Sequence, residues 1–130
     1  MKVINQGIQQ REEWRAGVLT RMRVSMLTGN KQLCIFDQWC QPGLGAPTHI
    51  HAVEEVLDVI EGQAEVWVGD DNATVTQDHS VIIPAGCRHG FRNCGETVLM
   101  VRATLAAPIF EAAYDEKSEL SFRWVSESTS

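Results

Sequence analysis

Three of the four histidines in the chain, His49, His51 and His89, fall in two short stretches that read as halves of one metal site. The first stretch runs from Pro47 to Glu55 and the second from Pro84 to Asn93. Imidazole nitrogens and carboxylates together are ligands for transition metals. His49 and His51 stand two residues apart. Side chains two apart share a face on a strand but not on a helix, so His-x-His predicts a strand presenting two imidazoles side by side. Glu55 lies four residues beyond His51. On an unbroken strand that would be about 13 Å further along, whereas ligands of one ion sit about 2 Å from it. The chain must therefore turn at Ala52, Val53 and Glu54 and bring Glu55 back on a neighbouring antiparallel strand. Glu54 is the rival carboxylate, and strand parity favours Glu55. The second stretch would bring the third imidazole from elsewhere in the fold.

The elements that must position these groups are short strands. Val18 to Leu27, Gln32 to Cys40, Glu55 to Glu61, Gln63 to Val68, Ala73 to Gln77, Val81 to Ile83, His89 to Asn93 and Thr97 to Leu105 alternate or carry β-branched and aromatic residues. Turn residues separate them, as at Thr28 to Lys31, Gln41 to Gly45, Gly69 to Asn72 and Asp78-His79. Gln9 to Arg15 is expected to form a helical turn or two, and Ile109 to Tyr114 a short helix. Eight or nine such strands without a long helix predict an all-β sandwich or barrel. The tail, 126–130, is expected to be disordered.

The totals narrow the function. A length of 130 residues suits a single domain over 1–130. The net charge is −6 with no basic run, which argues against nucleic acid and anionic membranes as partners. No apolar run approaches the roughly 20 residues of a membrane span, and the N-terminus has no apolar stretch of signal-peptide type. The expectation is a cytoplasmic protein. No helix pair of DNA-binding type is present, which excludes a whole transcription regulator. Cys34, Cys40, Cys87 and Cys94 show no Cys-x-x-Cys spacing and are expected to be reduced thiols.

At Gly43, His49, His51, Glu55 and Gly62 the chain fills the motif Gly-x5-His-x-His-x3-Glu-x6-Gly. At Pro84, Gly86, His89 and Asn93 it fills all but the first position of Gly-x5-Pro-x-Gly-x2-His-x3-Asn, where Asp78 replaces glycine. In these residues the chain resembles the cupin superfamily, closely over 43–93 and by strand pattern beyond. Asp tolerates a left-handed backbone better than most residues, so the departure touches a turn and not the site. The resemblance implies a double-stranded β-helix, or jelly roll. It implies one divalent metal (Fe, Mn, Ni, Zn, Co or Cu) inside the barrel, held by His49, His51, Glu55 and His89. It also implies a homodimer, which the apolar residues Val24, Met26 and Leu27 and the run after Thr97 would suit.

Four protein ligands leave positions on the ion for a small-molecule ligand. The expected function is a metal-dependent enzyme on a small chelating molecule, by dioxygenase-type or Lewis-acid carbonyl and enolate chemistry, with Glu55 as a candidate for proton transfer. The alternatives are a non-catalytic binding or sensing module and a structural dimer with a structural metal. Candidates for the pocket wall are Phe91 and Asn93, which share the face of His89, together with Phe36, Gln38 and Trp39, whose parity the sequence leaves open. Arg102, which interrupts an apolar run, is a candidate carboxylate clamp with an outward-facing arginine as its rival reading. Cys87, two residues before His89, is read either as a redox-sensitive thiol or as simple packing.

Overall fold

A computed structural model describes residues 1–127 as two facing antiparallel sheets, a jelly roll. The strands are β1 (Arg11–Arg15), β2 (Val18–Val24), β3 (Cys34–Cys40), β4 (Gly45–Ile50), β5 (Glu55–Glu61) and β6 (Gln63–Val68). They continue as β7 (Asp71–Thr76), β8 (His79–Ile83), β9 (His89–Asn93), β10 (Leu99–Leu105), β11 (Phe110–Tyr114) and β12 (Leu120–Arg123). One sheet has the order β1-β2-β3-β10-β5-β8 and the other β12-β11-β4-β9-β6-β7. Residues 128–130 of the expected tail lie outside the described residues.

Alternation explains most of this. Along β5, β10 and β11 buried and half-buried residues alternate strictly, so one face of each strand enters the barrel. Leu57, Val59, Val101, Ala103 and Leu105 meet there with Val66 and Ile83. Burying one such aliphatic side chain stabilises by about 1.5–3 kcal/mol. An aromatic group closes one side of the barrel. Trp14 packs on Phe110 with ring centroids 4.9 Å apart, and Trp124 packs on Phe36 at 5.3 Å.

Three expectations change. Ile109 to Tyr114 is strand, not helix. Glu111, Ala112 and Ala113 favour helix locally, but Phe110, Ala112 and Tyr114 bury on one face while β11 pairs with β4 and β12. Arg11–Arg15 is likewise strand, paired with β2, and the only helical turn before it is Gln6–Ile8. The strand from Val18 stops at Val24, because Ser25 caps a 3₁₀ turn over Met26–Thr28 that ends at Gly29 with φ 93°. The apolar run after Thr97 is β10, central in its sheet between β3 and β5. Its inward face is therefore covered within the chain.

Asp78, standing where the second motif has glycine, has φ 69°. The left-handed turn is kept and the aspartate occupies it.

Candidate metal centre

The site bridges the two sheets. His49 and His89 face each other in register on β4 and β9, and His51 follows just past the end of β4. Glu55 opens β5 in the opposite sheet. The chain does turn at 52–54, but Glu55 does not return beside β4 as expected. It crosses the barrel and faces the histidines from the other side, which closes a ring of ligands instead of a row. His49 and His51 share a face, their rings edge to face with centroids 4.7 Å apart. One ligand atom from each of His49, His51, Glu55 and His89 lies within 4.8 Å of the others. All four residues are buried, whereas Glu54 is exposed.

The backbone orients each imidazole. The Nδ1 of His49 meets the Pro47 carbonyl at 2.7 Å, that of His51 the Glu111 carbonyl at 2.6 Å, and that of His89 the Cys87 carbonyl at 2.9 Å. A carbonyl only accepts, so each Nδ1 carries a proton and each Nε2 is left facing the centre. Burial, then the neighbouring His89 and His51, push the His49 pKa down to about 3, so its ring is neutral at pH 7. The Nε2 atoms of His51 and His89 both stand 3.1 Å from Oε1 of Glu55. Burial raises the Glu55 pKa, but the bonds to His51 and His89 outweigh it and hold it at about 2. With their Nε2 protons removed, the three imidazoles and the carboxylate would turn lone pairs on one point in a dry cavity and repel unless a cation sat among them. The donor set therefore fits a metal ion.

The enclosed cavity at the centre has a volume of ≈ 20 Å³, room for about one water. Of the pocket residues expected from sequence, Phe36, Gln38 and Phe91 line it. Trp39, Asn93 and Arg102 do not. Phe36 and Gln38 point inward from β3, so Trp39 points out, with the guanidinium of Arg11 3.8 Å above its ring. Arg102 also faces outward and donates its Nε proton to Asp37 at 2.7 Å. Asn93 is buried but serves the backbone. Its Nδ2 donates to the carbonyls of Cys40 and Thr97 at 2.9 and 2.7 Å, and its Oδ1 accepts from the Gly95 N–H at 2.9 Å. Cys87 contributes its carbonyl to His89, and its half-buried thiol contacts no ligand atom among the described residues.

Seven lining residues were not foreseen: Trp14, Arg15, Ala46, Leu57, Ala103, Phe110 and Tyr114. Arg15 donates through Nη1 to the Gly45 carbonyl at 2.9 Å and through Nη2 to the Tyr114 hydroxyl at 3.4 Å. Tyr114 is the cross-strand partner of His49, with ring centroids 5.0 Å apart. Burial raises its phenol pKa against the opposing pull of Arg15, which keeps the hydroxyl protonated. The Phe110-x-Ala-x-Tyr114 alternation could have pointed to Tyr114. Nothing in Arg11–Arg15 signals that this strand lies against the site.

The family profile described as "Cupin domain" matches residues 39–105. Trp14, Arg15, Phe110 and Tyr114 thus all lie in the flanks of the matched segment. No curated protein matches the chain. Among solved structures it is similar to an RmlC-like cupin from Shewanella frigidimarina, with a TM-score of 0.69 at 21% identity over 81% of this chain and 88% of that one. It is similar to the polyketide cyclase RemF from Streptomyces resistomycificus, with a TM-score of 0.72 at 19% identity over 98% and 88%. Its similarity to the oxalate decarboxylase of Lactobacillus farciminis in its formate complex has a TM-score of 0.75 at 17% identity, over 84% of this chain and 34% of that one.

Proposed function

The chain belongs to the cupin family, and on that premise we propose that it is a metal-dependent enzyme acting on a small organic molecule that chelates the ion. His49, His51, Glu55 and His89 would hold the ion. Three imidazoles and a carboxylate suit Fe, Mn, Ni, Cu, Co or Zn alike. Such an ion supplies Lewis-acid polarisation of a carbonyl or enolate, or a seat for oxygen chemistry.

One observation carries the reading: three imidazoles, each locked by a carbonyl on Nδ1, converge with one carboxylate inside the barrel. Groups outside the ligand ring set the rest of the chemistry. Phe36, Phe91 and Phe110 supply the apolar part of the cavity wall. Glu55, the one carboxylate among the four, is the candidate for proton transfer. The names of two similar structures, a polyketide cyclase and an oxalate decarboxylase, agree with an enzyme of small oxygenated molecules.

A second reading, an ion that binds a ligand without turnover or only staples the barrel, is favoured by the small cavity of ≈ 20 Å³. A homodimer belongs to the proposal as well, because Met26 and Leu27 remain 37% and 52% exposed. Sedimentation at micromolar concentration tests it. Among the described residues no helix is long and apolar enough to cross a membrane.

A thermal-shift screen of lactate, pyruvate and acetylacetone against metal-loaded, metal-free and His89→Ala protein tests the chelation. Such ligands should raise the melting temperature of the metal-loaded protein alone. Equal shifts in all three forms would remove the metal from the binding centre.

A further inference from the structure

Six of the eight arginines lie within 4.0 Å of a carboxylate oxygen. Among the described residues, Arg11 and Arg15 do not. Arg11 covers Trp39 on the outer face, 3.8 Å from the ring. Arg15 is half-buried on the wall of the metal cavity. A guanidinium has five N–H donors in a planar fork. Arg15 uses two, one of them on a long 3.4 Å contact. Desolvating a cation without a counter-charge is costly, and the chain carries a net charge of −6 from which a partner could have come.

The groups around Arg15 repeat the bias. Trp14, which lines the same cavity, has a buried Nε1–H with no acceptor among the described residues. The Tyr114 hydroxyl accepts from Arg15 and keeps its own proton to donate. Arg15 and Tyr114 thus bring spare donors to the cavity wall beside His49. Arg15, Ala46 and Phe91 also line a wider groove of ≈ 380 Å³ running past Gly43, Trp67 and Glu116 to the surface. Arg15 thus lines both the inner cavity and the outer groove.

We propose that Arg15 is the anion-recognising residue of this site and that the ligand is a small carboxylic acid bearing a second oxygen donor. The proposal rests on the metal-chelation reading above and adds the substrate class to it. A planar carboxylate matches the guanidinium fork edge to edge. Phosphate meets the same fork, so what separates the acid from it is the apolar wall of Phe36, Phe91 and Phe110, against which an organic body packs and a bare phosphate does not. The body of the ligand would lie in the outer groove. Because β1 lies outside the 39–105 segment, this cation is a feature of the flank and not of the shared barrel.

The test is calorimetric titration of cobalt(II)-loaded protein, whose visible absorption reports the ligand ring independently. The probes are lactate, pyruvate, lactamide, pyruvamide and inorganic phosphate. The wild type should bind the acids more tightly than the amides and bind phosphate weakly. Arg15→Gln should weaken the acids roughly 10- to 100-fold, the scale of one charge-assisted hydrogen bond. It should leave the amides and the cobalt spectrum unchanged. Arg15→Lys, which keeps the charge without the fork, should retain part of the preference, and it decides the question if Arg15→Gln fails to fold. Equal binding of acid and amide by the wild type would overturn the proposal, as would full acid affinity in both variants or phosphate binding as well as lactate. A wild type that takes up no cobalt would sink the metal reading itself, and this proposal with it.

Discussion

Asp37 and Arg102 are cross-strand partners on β3 and β10, joined on the outer face of the sheet by a 2.7 Å hydrogen bond from Arg102 Nε to Asp37 Oδ1. They belong to a row of alternating charge. Arg21, Asp37, Arg102 and Asp58 stand side by side across β2, β3, β10 and β5, and Ser80 of β8 ends the row on Asp58. Arg23 adds a bond to Asp37 at 3.0 Å. The aspartate side chain is fully buried beneath its three arginines. This row turns Arg102 away from the barrel.

Burial raises the Asp37 pKa, but the hydrogen bonds and charges of Arg102 and Arg23 outweigh it, so the folded value is lowered. A carboxylate with a depressed folded pKa stabilises the protein above its unfolded pKa of about 3.9. That stability is lost as pH falls through the folded value. Asp37→Asn should therefore cost about 3 kcal/mol at pH 7, as for breaking a buried pair. The gap to wild type should narrow below pH ~4. Urea unfolding of both proteins across this range checks it, and a gap that widens with acid would contradict the pairing.

Gly45 opens β4 against β9, and a Cβ there would lie 2.2 Å from the Phe91 carbonyl oxygen and 2.8 Å from Arg92 Cα. Both are backbone atoms, so the strands would have to part where they carry His49 and His89. Gly45→Ala should cost about 3 kcal/mol, the upper end for overpacking. Gly43→Ala meets nothing within 4 Å and strains only a φ of 84°, for about 1 kcal/mol. Thermal melts of the two variants rank them, and the reverse order would show that the close strand approach is not limiting.

The ligand ring was legible in the sequence because its spacing is dictated by chemistry: His-x-His fixes a face, and the motif fixes the partners. The sheets were legible where short apolar or β-branched runs end at turn residues, as in β5, β9 and β10, but not in β11, whose alternating Phe110, Ala112 and Tyr114 sit among helix-favouring residues. Parity along β3 was not, because Asp37 is as buried as Phe36 and Gln38 although it faces outward. Only the β2 and β10 registers explain that burial. β1 and β12 were missed although each is an arm of a local hairpin, with β2 and β11, because Arg11–Arg15 is almost wholly charged and Leu120–Arg123 is only four residues long. Arg11–Arg15 carries one apolar residue, and nothing local says that Trp14 will close a barrel.

Asn93 shares the parity of His89 and was expected in the pocket, yet it ties loop backbone together instead. Asn93→Ala would leave two carbonyls and one N–H without their partner. A loss of about 2–4 kcal/mol is expected for buried polar groups so abandoned, with metal affinity of the folded fraction unchanged. Denaturant unfolding beside a metal titration separates the two effects. A variant of full stability with weakened metal binding would return Asn93 to the site.

The most direct measurement is metal uptake by the chelator-stripped protein, by titration with cobalt(II) or zinc(II) and elemental analysis of the dialysed product. The wild type should take up a single ion per chain, with affinity falling as acid protonates the imidazoles. Removing two of the four ligands in the His49→Ala, His51→Ala double variant should abolish that uptake while leaving the strands of the barrel folded. A wild type that binds no ion, or a double variant that binds as fully as the wild type, would contradict the metal centre.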